Sequence, residues 1–281
     1  MALTDDEIQQ LEKRAQAIRE TVIEMLVNAG SGHTAGPLGM ADIFTALYFH
    51  ILKHDPKRPE WEERDRLVLS NGHICPVLYA TLAHAGYFDV EECMTLRKFG
   101  SRLQGHPERL RLPGLETTSG PLGEGLSQAA GMAYAFKNLQ PATCNLQPHI
   151  YCVMSDAEQQ EGNTWEAAMF AGKNRLAGLT AVIDRNNIQI DGYTEDVMPL
   201  EPLADKYHAF NWHVLEVNGH DIAAFIAAVD EAKAIVEKPT LIIAHTIPGK
   251  GVPEIEHDYH WHGKPPTAEE GERFLAQIRH A

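Results

Sequence analysis

The sequence predicts an α/β protein built on an open, mainly parallel sheet with helices on both faces. Three observations carry this expectation. Four short runs rich in Val, Ile, Leu and Ala, namely IYCVMSD (150–156), LTAVIDRN (179–186), WHVLEVNG (212–219) and TLIIAHT (240–246), recur along the second half of the chain. They alternate with segments of helical period, and runs that are apolar on both faces belong to sheets covered on both sides by crossover helices. Finally, Asp156 and Asn186 stand at the C-terminal ends of two successive candidate strands, the edge where parallel sheets collect ligands.

Taken in order, residues 5–28 carry apolar positions at helical spacing, opened by Thr4-Asp5-Asp6 as an N-cap and closed by Gly30. SGHTAGPLGM (31–40) reads as a loop and leads into an apolar helix over about 40–52. RLVLSN (66–71) reads as a short buried strand, and residues 73–88 as a helix beside Asn71-Gly72. Residues 100–125 are irregular and rich in Gly and Pro; stretches of that length in a compact domain tend to be functional. Gly120, Gly123 and Gly125 precede a helix over 124–139 and fit a phosphate loop, although glycines entering a helix are common. Helices are expected over 163–176, near 201–210 and over 221–236, with a last, weakly amphipathic one over 267–280. With no linker, repeat or composition shift, residues 1–281 read as one domain.

The 281 residues are 44% hydrophobic and 22% charged, the make-up of a folded domain. Twenty-four Lys and Arg face 39 Asp and Glu, a net charge of -15 without a basic block. Nucleic acid and anionic membranes are therefore poor partners, while a small anion could still be held by amides, histidines or a divalent metal. No apolar run approaches the roughly 20 residues that span a bilayer. The N-terminus MALTDDEIQQ lacks a signal peptide's apolar stretch, so a cytoplasmic location is expected. Cys75, Cys93, Cys144 and Cys152 are widely spaced without a CxxC pair, which suggests neither a zinc site nor a disulfide scaffold.

Asp156, Asn186 and a loop carbonyl make an oxygen-only donor set of the kind that suits Mg²⁺ or Ca²⁺, with phosphate oxygens and water completing the shell. The alternative is that Asp156 caps the following helix and Asn186 closes a turn. His33, His73, His106 and His262 each lie in a glycine-containing loop. His257, His260 and His262 have a spacing that could suggest zinc, but no nearby Cys or HExxH pattern supports it. His84, His208, His213 and His220 carry no motif and read as structural or solvated.

Six segments, in order over about residues 20–265, resemble the transketolase family. SGHTAGPLGM resembles SGHPGxPLGM, DRLVLSNGH resembles DRFVLSNGH, and GSRLQGHPE and TTSGPLGEG follow. MSDAEQQEG with Asn186 resembles the GDG-and-N thiamine diphosphate motif, and WHGKPP resembles the WHGKxP of short two-subunit transketolases. The resemblance implies the thiamine diphosphate-binding fold of the diphosphate-binding (PP) type. It implies thiamine diphosphate and a divalent metal (Mg²⁺, or Ca²⁺ or Mn²⁺) as cofactors. The metal would be held by the side chains of Asp156 and Asn186 and the carbonyl of Ile188. The cofactor would meet His73, Gly120, Pro121, Leu122, the Ala157 N–H, Ile190 and His262, with Glu161 as the acid at the interface between cofactor-sharing chains. His33 and His262 would transfer protons and polarise the substrate oxygen, and His106 would hold substrate hydroxyls. Histidine suits such transfers because its ordinary pKa of about 6.5 is close to neutral.

The match departs from the family pattern at four positions in two motifs. Ser155 and Ala157 replace the flanking glycines, and Thr34 and Ala35 replace the Pro and Gly after the first histidine. A Cβ is tolerable where φ is negative and destabilising where only glycine fits. Nothing resembles the family's pyrimidine-binding or C-terminal domain, so the resemblance implies a second transketolase subunit carrying both. The implied assembly is an α2β2 heterotetramer, active only with that partner. The implied reaction moves a two-carbon ketol unit from a ketose phosphate to an aldose phosphate. Alternatives are a transketolase-like subunit for an unusual sugar, a cofactor-poor pseudo-subunit that only binds its partner, and a zinc hydrolase using the C-terminal histidines.

Overall fold

The computed structural model describes residues 3–139 and 147–280, so Cys144 lies outside the described residues. Strands β1 (Arg66–Leu69), β2 (Ile150–Ser155), β3 (Leu179–Arg185), β6 (His213–Asn218) and β7 (Thr240–His245) form one sheet in the order β1-β2-β3-β7-β6. Every pairing in it is parallel, with Ser155 opposite Asp184 and Asp184 opposite Ala244. A two-stranded antiparallel hairpin, β4 (Ile188–Gln189) and β5 (Gly192–Tyr193), follows β3.

Successive strand residues point to opposite faces, and both faces are buried. Tyr151, Val153, Val182, Ile242 and Ala244 pack with helices α1 (Asp5–Ala29), α3 (Ala41–Ala46), α4 (Cys75–His84) and α9 (Ile222–Ala234). Ile150, Cys152, Met154, Ala181, Ile183, Leu241 and Ile243 pack with α5 (Gly125–Asn138), α6 (Gly162–Lys173) and α8 (Leu203–Ala209). This second layer is lined by small residues: Ala129, Ala130, Ala133, Ala167, Ala168 and Ala171 are buried there. A Cβ placed on Gly172 would lie 1.8 Å from the Phe210 carbonyl oxygen, so α6 docks at a distance only glycine permits. The described cysteines Cys75, Cys93 and Cys152 are buried and unbonded. No helix among the described residues is long and apolar enough to cross a membrane.

The first helix follows its sequence signals. Thr4 and Glu7 form a capping box, and Gly30 closes the helix at φ 62°. Elsewhere the structure corrects the sequence reading. Within the expected loop 31–40, residues Ala35–Gly39 form a short helix, α2, buried throughout. Its Pro37 sits in the first turn, where no backbone donor is lost. The expected helix over 40–52 divides into α3 and a π-helical turn, Leu47–Ile51. The last helix, α10 (Ala268–His280), is more amphipathic than its sequence suggests: Gly271, Phe274 and Ile278 form one buried stripe on α1. Gly271 belongs to the stripe because a Cβ there would meet Val27 at 2.4 Å, so the apolar count underestimates this face. The 3₁₀ turns Gly72–Ile74, Ala157–Gln160 and Tyr259–Trp261 and helix α7 (Thr194–Val197) are too short for periodicity to signal.

Candidate functional site

Three separate segments bring their histidines to the C-terminal edge of the sheet. His33 lies just ahead of α2, His73 in the 3₁₀ turn after β1, and His262 directly after the 3₁₀ turn Tyr259–Trp261. The ring centroids of His33 and His73 are 4.9 Å apart, those of His33 and His262 5.3 Å, and those of His73 and His262 5.0 Å. Thr34, buried, donates its hydroxyl to the Lys264 carbonyl at 2.6 Å and so fastens the His33 segment to the His262 segment. A Cβ built on Gly263 would lie 3.8 Å from both His33 Nε2 and Ile190 Cδ1, which places Ile190 at the same cluster. His106 is exposed and lies on the Gly120 side, its ring 4.0 Å from the position of a Gly120 Cβ.

Burial keeps these rings neutral. It takes His33 down to about 3, helped by His262, Arg97 and His106. It takes His262 down to about 4 and His73 well below the usual histidine range, and burial with Arg97 also lowers His106. At neutral pH the cluster therefore offers uncharged imidazoles that donate or accept. Beside it stand buried polar atoms with no partner: His33 Nδ1, both polar atoms of the Asn71 side chain, and Ser119 Oγ. Each unsatisfied buried group of this kind costs on the order of 1–3 kcal/mol. The Asn71 and Ser119 segments touch, since a Cβ on Gly72 would lie 2.9 Å from Ser119 Cβ and 3.1 Å from Gly120 N. Unspent donors and acceptors converging on glycine backbone are what a polar ligand would satisfy.

Asp156 follows β2 directly and is fully buried. One of its oxygens accepts the Ala157 N–H at 2.7 Å; the other accepts the Asn187 N–H at 2.8 Å and Arg185 at 3.0 Å. Arg185, 3% exposed, also pairs with Glu195 and Glu201. Asn186 Oδ1 accepts the Ile188 N–H at 3.0 Å, while its amide nitrogen donates to Asp184 at 2.8 Å. Both plain roles anticipated from the sequence are thus filled: Asp156 caps the turn after β2 and Asn186 closes the turn after β3. Neither fills the donor set, because Asp156 Oδ1 and Asn186 Oδ1 each carry a second lone pair. One carboxylate, one amide oxygen and the Ile188 carbonyl fit a hard divalent cation that takes its other ligands from phosphate and water. Three carboxylates around one guanidinium leave negative charge for such an ion to balance.

Gly120, Pro121 and Leu122 run between the Asn71 segment and α5, with Pro121 exposed and Leu122 half-buried. Gly123 follows at φ 82°, and a Cβ there would lie 2.7 Å from that of Glu161, which is exposed. The Ala157 N–H, expected to face a phosphate, is turned to its own neighbour Asp156. Among the described residues no three His, Cys, Asp or Glu side chains are grouped to hold a metal by themselves. His260 pairs with Asp258 at 2.7 Å and stacks on Tyr259.

Four residues were missed by sequence reasoning. Asp184, 1% exposed and pushed by burial up to about 7, accepts from Thr246 and Asn186 and fixes which way the Asn186 amide faces. Arg185 anchors Asp156. Arg97, at φ 58°, sets its guanidinium against Gly32 and Gly105, the glycines ahead of His33 and His106. Glu158 lies inside the turn after β2 and is fully buried. Only Glu158 had a sequence signal: SDAE has the form of a capping box.

Residues 10–278 match the family model for the transketolase thiamine diphosphate-binding domain. Among curated proteins the chain is 43% identical over 268 residues to the 6-deoxy-6-sulfo-D-fructose transketolase subunit of Clostridium sp. strain MSTE9, covering 95% of this chain and 96% of that protein. It is 40% identical to an apulose-4-phosphate transketolase subunit of Phocaeicola vulgatus, covering 97% of this chain and 95% of that one. Transketolase 1 of Escherichia coli is also 40% identical, but the match covers only 39% of its length. The crystal structure of transketolase from Campylobacter jejuni superposes with a TM-score of 0.90 at 38% identity, covering 97% of this chain and 43% of that one. The chain thus spans about two fifths of the solved transketolases it matches. It belongs to the transketolase family and has the family's thiamine diphosphate-binding fold.

Proposed function

We propose that this member of the transketolase family is the diphosphate-binding subunit of a two-chain transketolase, holding thiamine diphosphate and a divalent metal at the three-histidine edge of the sheet. The observation that carries this reading is the convergence of neutral His33, His73 and His262 with the unpartnered Asn71 and Ser119 side chains. Asp156, Asn186 and the Ile188 carbonyl would hold the metal, and through it the diphosphate. His73, Gly120, Pro121, Leu122, Ala157, Glu161 and Ile190 would surround the cofactor.

Thiamine diphosphate, when bound, supplies a carbanion sink for breaking and making a carbon–carbon bond. The protein's own residues then bind, orient and move protons. His33 and His262, neutral because buried, can accept a proton from a substrate hydroxyl and return it at the substrate oxygen. His106, exposed at the mouth, can hold a second hydroxyl. The reaction assigned is transfer of a two-carbon ketol unit from a ketose to an aldose. The partner is a second subunit bearing the pyrimidine-binding and C-terminal domains, in an α2β2 assembly. A sugar outside central metabolism is a specific second reading. It is favoured by the two relatives matched over nearly their whole length, whose names specify sulfofructose and apulose phosphate.

Equilibrium binding of thiamine diphosphate, with and without Mg²⁺, tests the site. Mg²⁺ is expected to tighten binding at least tenfold, and Asp156→Ala to remove that dependence while the chain stays folded by circular dichroism. Binding that is indifferent to Mg²⁺ in the wild type would contradict the metal assignment.

A further inference from the structure

A carboxylate that no role above uses lies at the centre of the cofactor edge. Glu158 is fully buried and makes no ion pair among the described residues. Instead it collects donors. One oxygen accepts the Ser70 hydroxyl and the Gly123 N–H at 2.7 Å. The other accepts the Ser155 N–H at 2.8 Å and, more loosely, the Ser155 hydroxyl at 3.4 Å. Ser155 reciprocates, accepting the Glu158 N–H at 3.3 Å in the manner of a capping box. Ser70 passes the network on, accepting the Gly125 N–H at 3.0 Å.

These donors come from the three segments that border the site. Ser70 directly follows β1, just ahead of Asn71 and His73, Ser155 precedes Asp156, and Gly123 and Gly125 follow Gly120, Pro121 and Leu122. The glycine loop reaches this arrangement only through a left-handed residue, Gly123 at φ 82°, and by close packing at Gly125, where a Cβ would lie 2.3 Å from Ser70 Cβ. A carboxylate is the side chain that accepts at both ends. An amide in its place sets an NH₂ group against either the Gly123 or the Ser155 N–H.

We propose that Glu158 is a positioning residue. Its carboxylate locks the glycine loop 120–125, the end of β1 and the turn after β2 into one arrangement, and so sets where the remaining donors of that loop point. This rests on the reading of the edge as a thiamine diphosphate site. It also accounts for Ser155, which stands where the family resemblance implies glycine and serves as Glu158's reciprocal partner.

The test compares the full chain with Glu158→Gln and Ser155→Gly by amide hydrogen exchange, following peptides over 118–126 and 153–160 with α1 as the reference for the fold. Thiamine diphosphate with Mg²⁺ is titrated in parallel. Glu158→Gln is expected to raise exchange at least tenfold in both peptides, leave α1 unchanged, and weaken thiamine diphosphate at least tenfold. Ser155→Gly keeps the backbone donor and is expected to change either readout about twofold or less. Glu158→Gln exchange equal to wild type overturns the proposal. So does a rise spread equally over α1, which marks Glu158 as a general core residue, and so does Ser155→Gly matching Glu158→Gln. Local loosening in Glu158→Gln, with a wild type that takes up no thiamine diphosphate, upholds the locking role and overturns the cofactor reading instead.

Discussion

At positions 155 and 157 the chain carries Ser and Ala where the family motif has glycine, and the backbone accepts both. Neither residue is among the described non-glycine residues with positive φ, so no left-handed conformation demands glycine there. Ser155 and Thr34, two of the four replaced positions, each make a hydrogen bond at the site: Ser155 holds Glu158 within the turn after β2, and Thr34 ties its segment to that of Lys264. Ala157→Gly is therefore expected to leave thiamine diphosphate affinity within about threefold of wild type while lowering stability by roughly 0.5–1 kcal/mol through added unfolded-state freedom. Calorimetric titration and thermal unfolding check the two halves; a large gain in affinity would show that Ala157 obstructs the site. The residues legible in the sequence are those that carry a motif by themselves, such as His33, His73, His262 and Asp156. Asp184 and Arg185 were not legible because their meaning comes from strand register, and the capping-box form of SDAE marks Glu158 without showing that Ser70 and Gly123 converge on it. Only the parallel pairing that sets Ser155 opposite Asp184 brings the turns after β2 and β3 together.

At the scale of elements, the long apolar strands and the well-capped α1 follow directly from periodicity and capping chemistry. The elements that shape the site do not, because α2, α7, the β4–β5 hairpin and the 3₁₀ turns are too short for a pattern to repeat. They are held by tertiary contacts instead: the Gly249 N–H donates to the Ala35 carbonyl at 2.9 Å, and the Asn187 carbonyl accepts the Thr194 N–H at 2.9 Å. The Ala-rich layer of α5 and α6 carries the sheet's second face at close range, and Gly172 is its tightest point. A methyl group at 1.8 Å from the Phe210 carbonyl forces backbone to move. Gly172→Ala is expected to destabilise the chain by about 1–3 kcal/mol. A fall in the urea midpoint with an unchanged slope checks it, and an unchanged midpoint would mean that α6 is free to shift.

For the whole molecule, the half-buried His33, His149 and His262 contribute to the response to acid. A histidine whose folded pKa is lowered contributes stability that is present above its unfolded value, near 6.5, and is lost as pH falls toward the folded one. His33 sits at about 3, and His149 and His262 at about 4, so this contribution is lost as pH falls from about 6.5 to about 4, and on to about 3 for His33. Asp184, raised to about 7, acts in the opposite sense, favouring the folded state as pH falls from there toward 3.8. The variant His262→Asn isolates one histidine from that balance. Relative to wild type it is expected to lose less stability between pH 6.5 and 4, measured by urea unfolding at each pH. A parallel acid limb in both proteins would show that His262 is not held neutral by burial.

The proposed function makes this chain one part of an enzyme, holding thiamine diphosphate at the three-histidine edge for a partner to complete. Capture of the tagged chain from its native host in Mg²⁺-containing buffer tests it most directly, with the bound chain identified by mass spectrometry and the eluate assayed for thiamine diphosphate. A stoichiometric second chain and one thiamine diphosphate per copy of this one are expected. Recovery of the chain alone, or with a partner and no cofactor, would contradict it and point to a subunit that serves only as a scaffold.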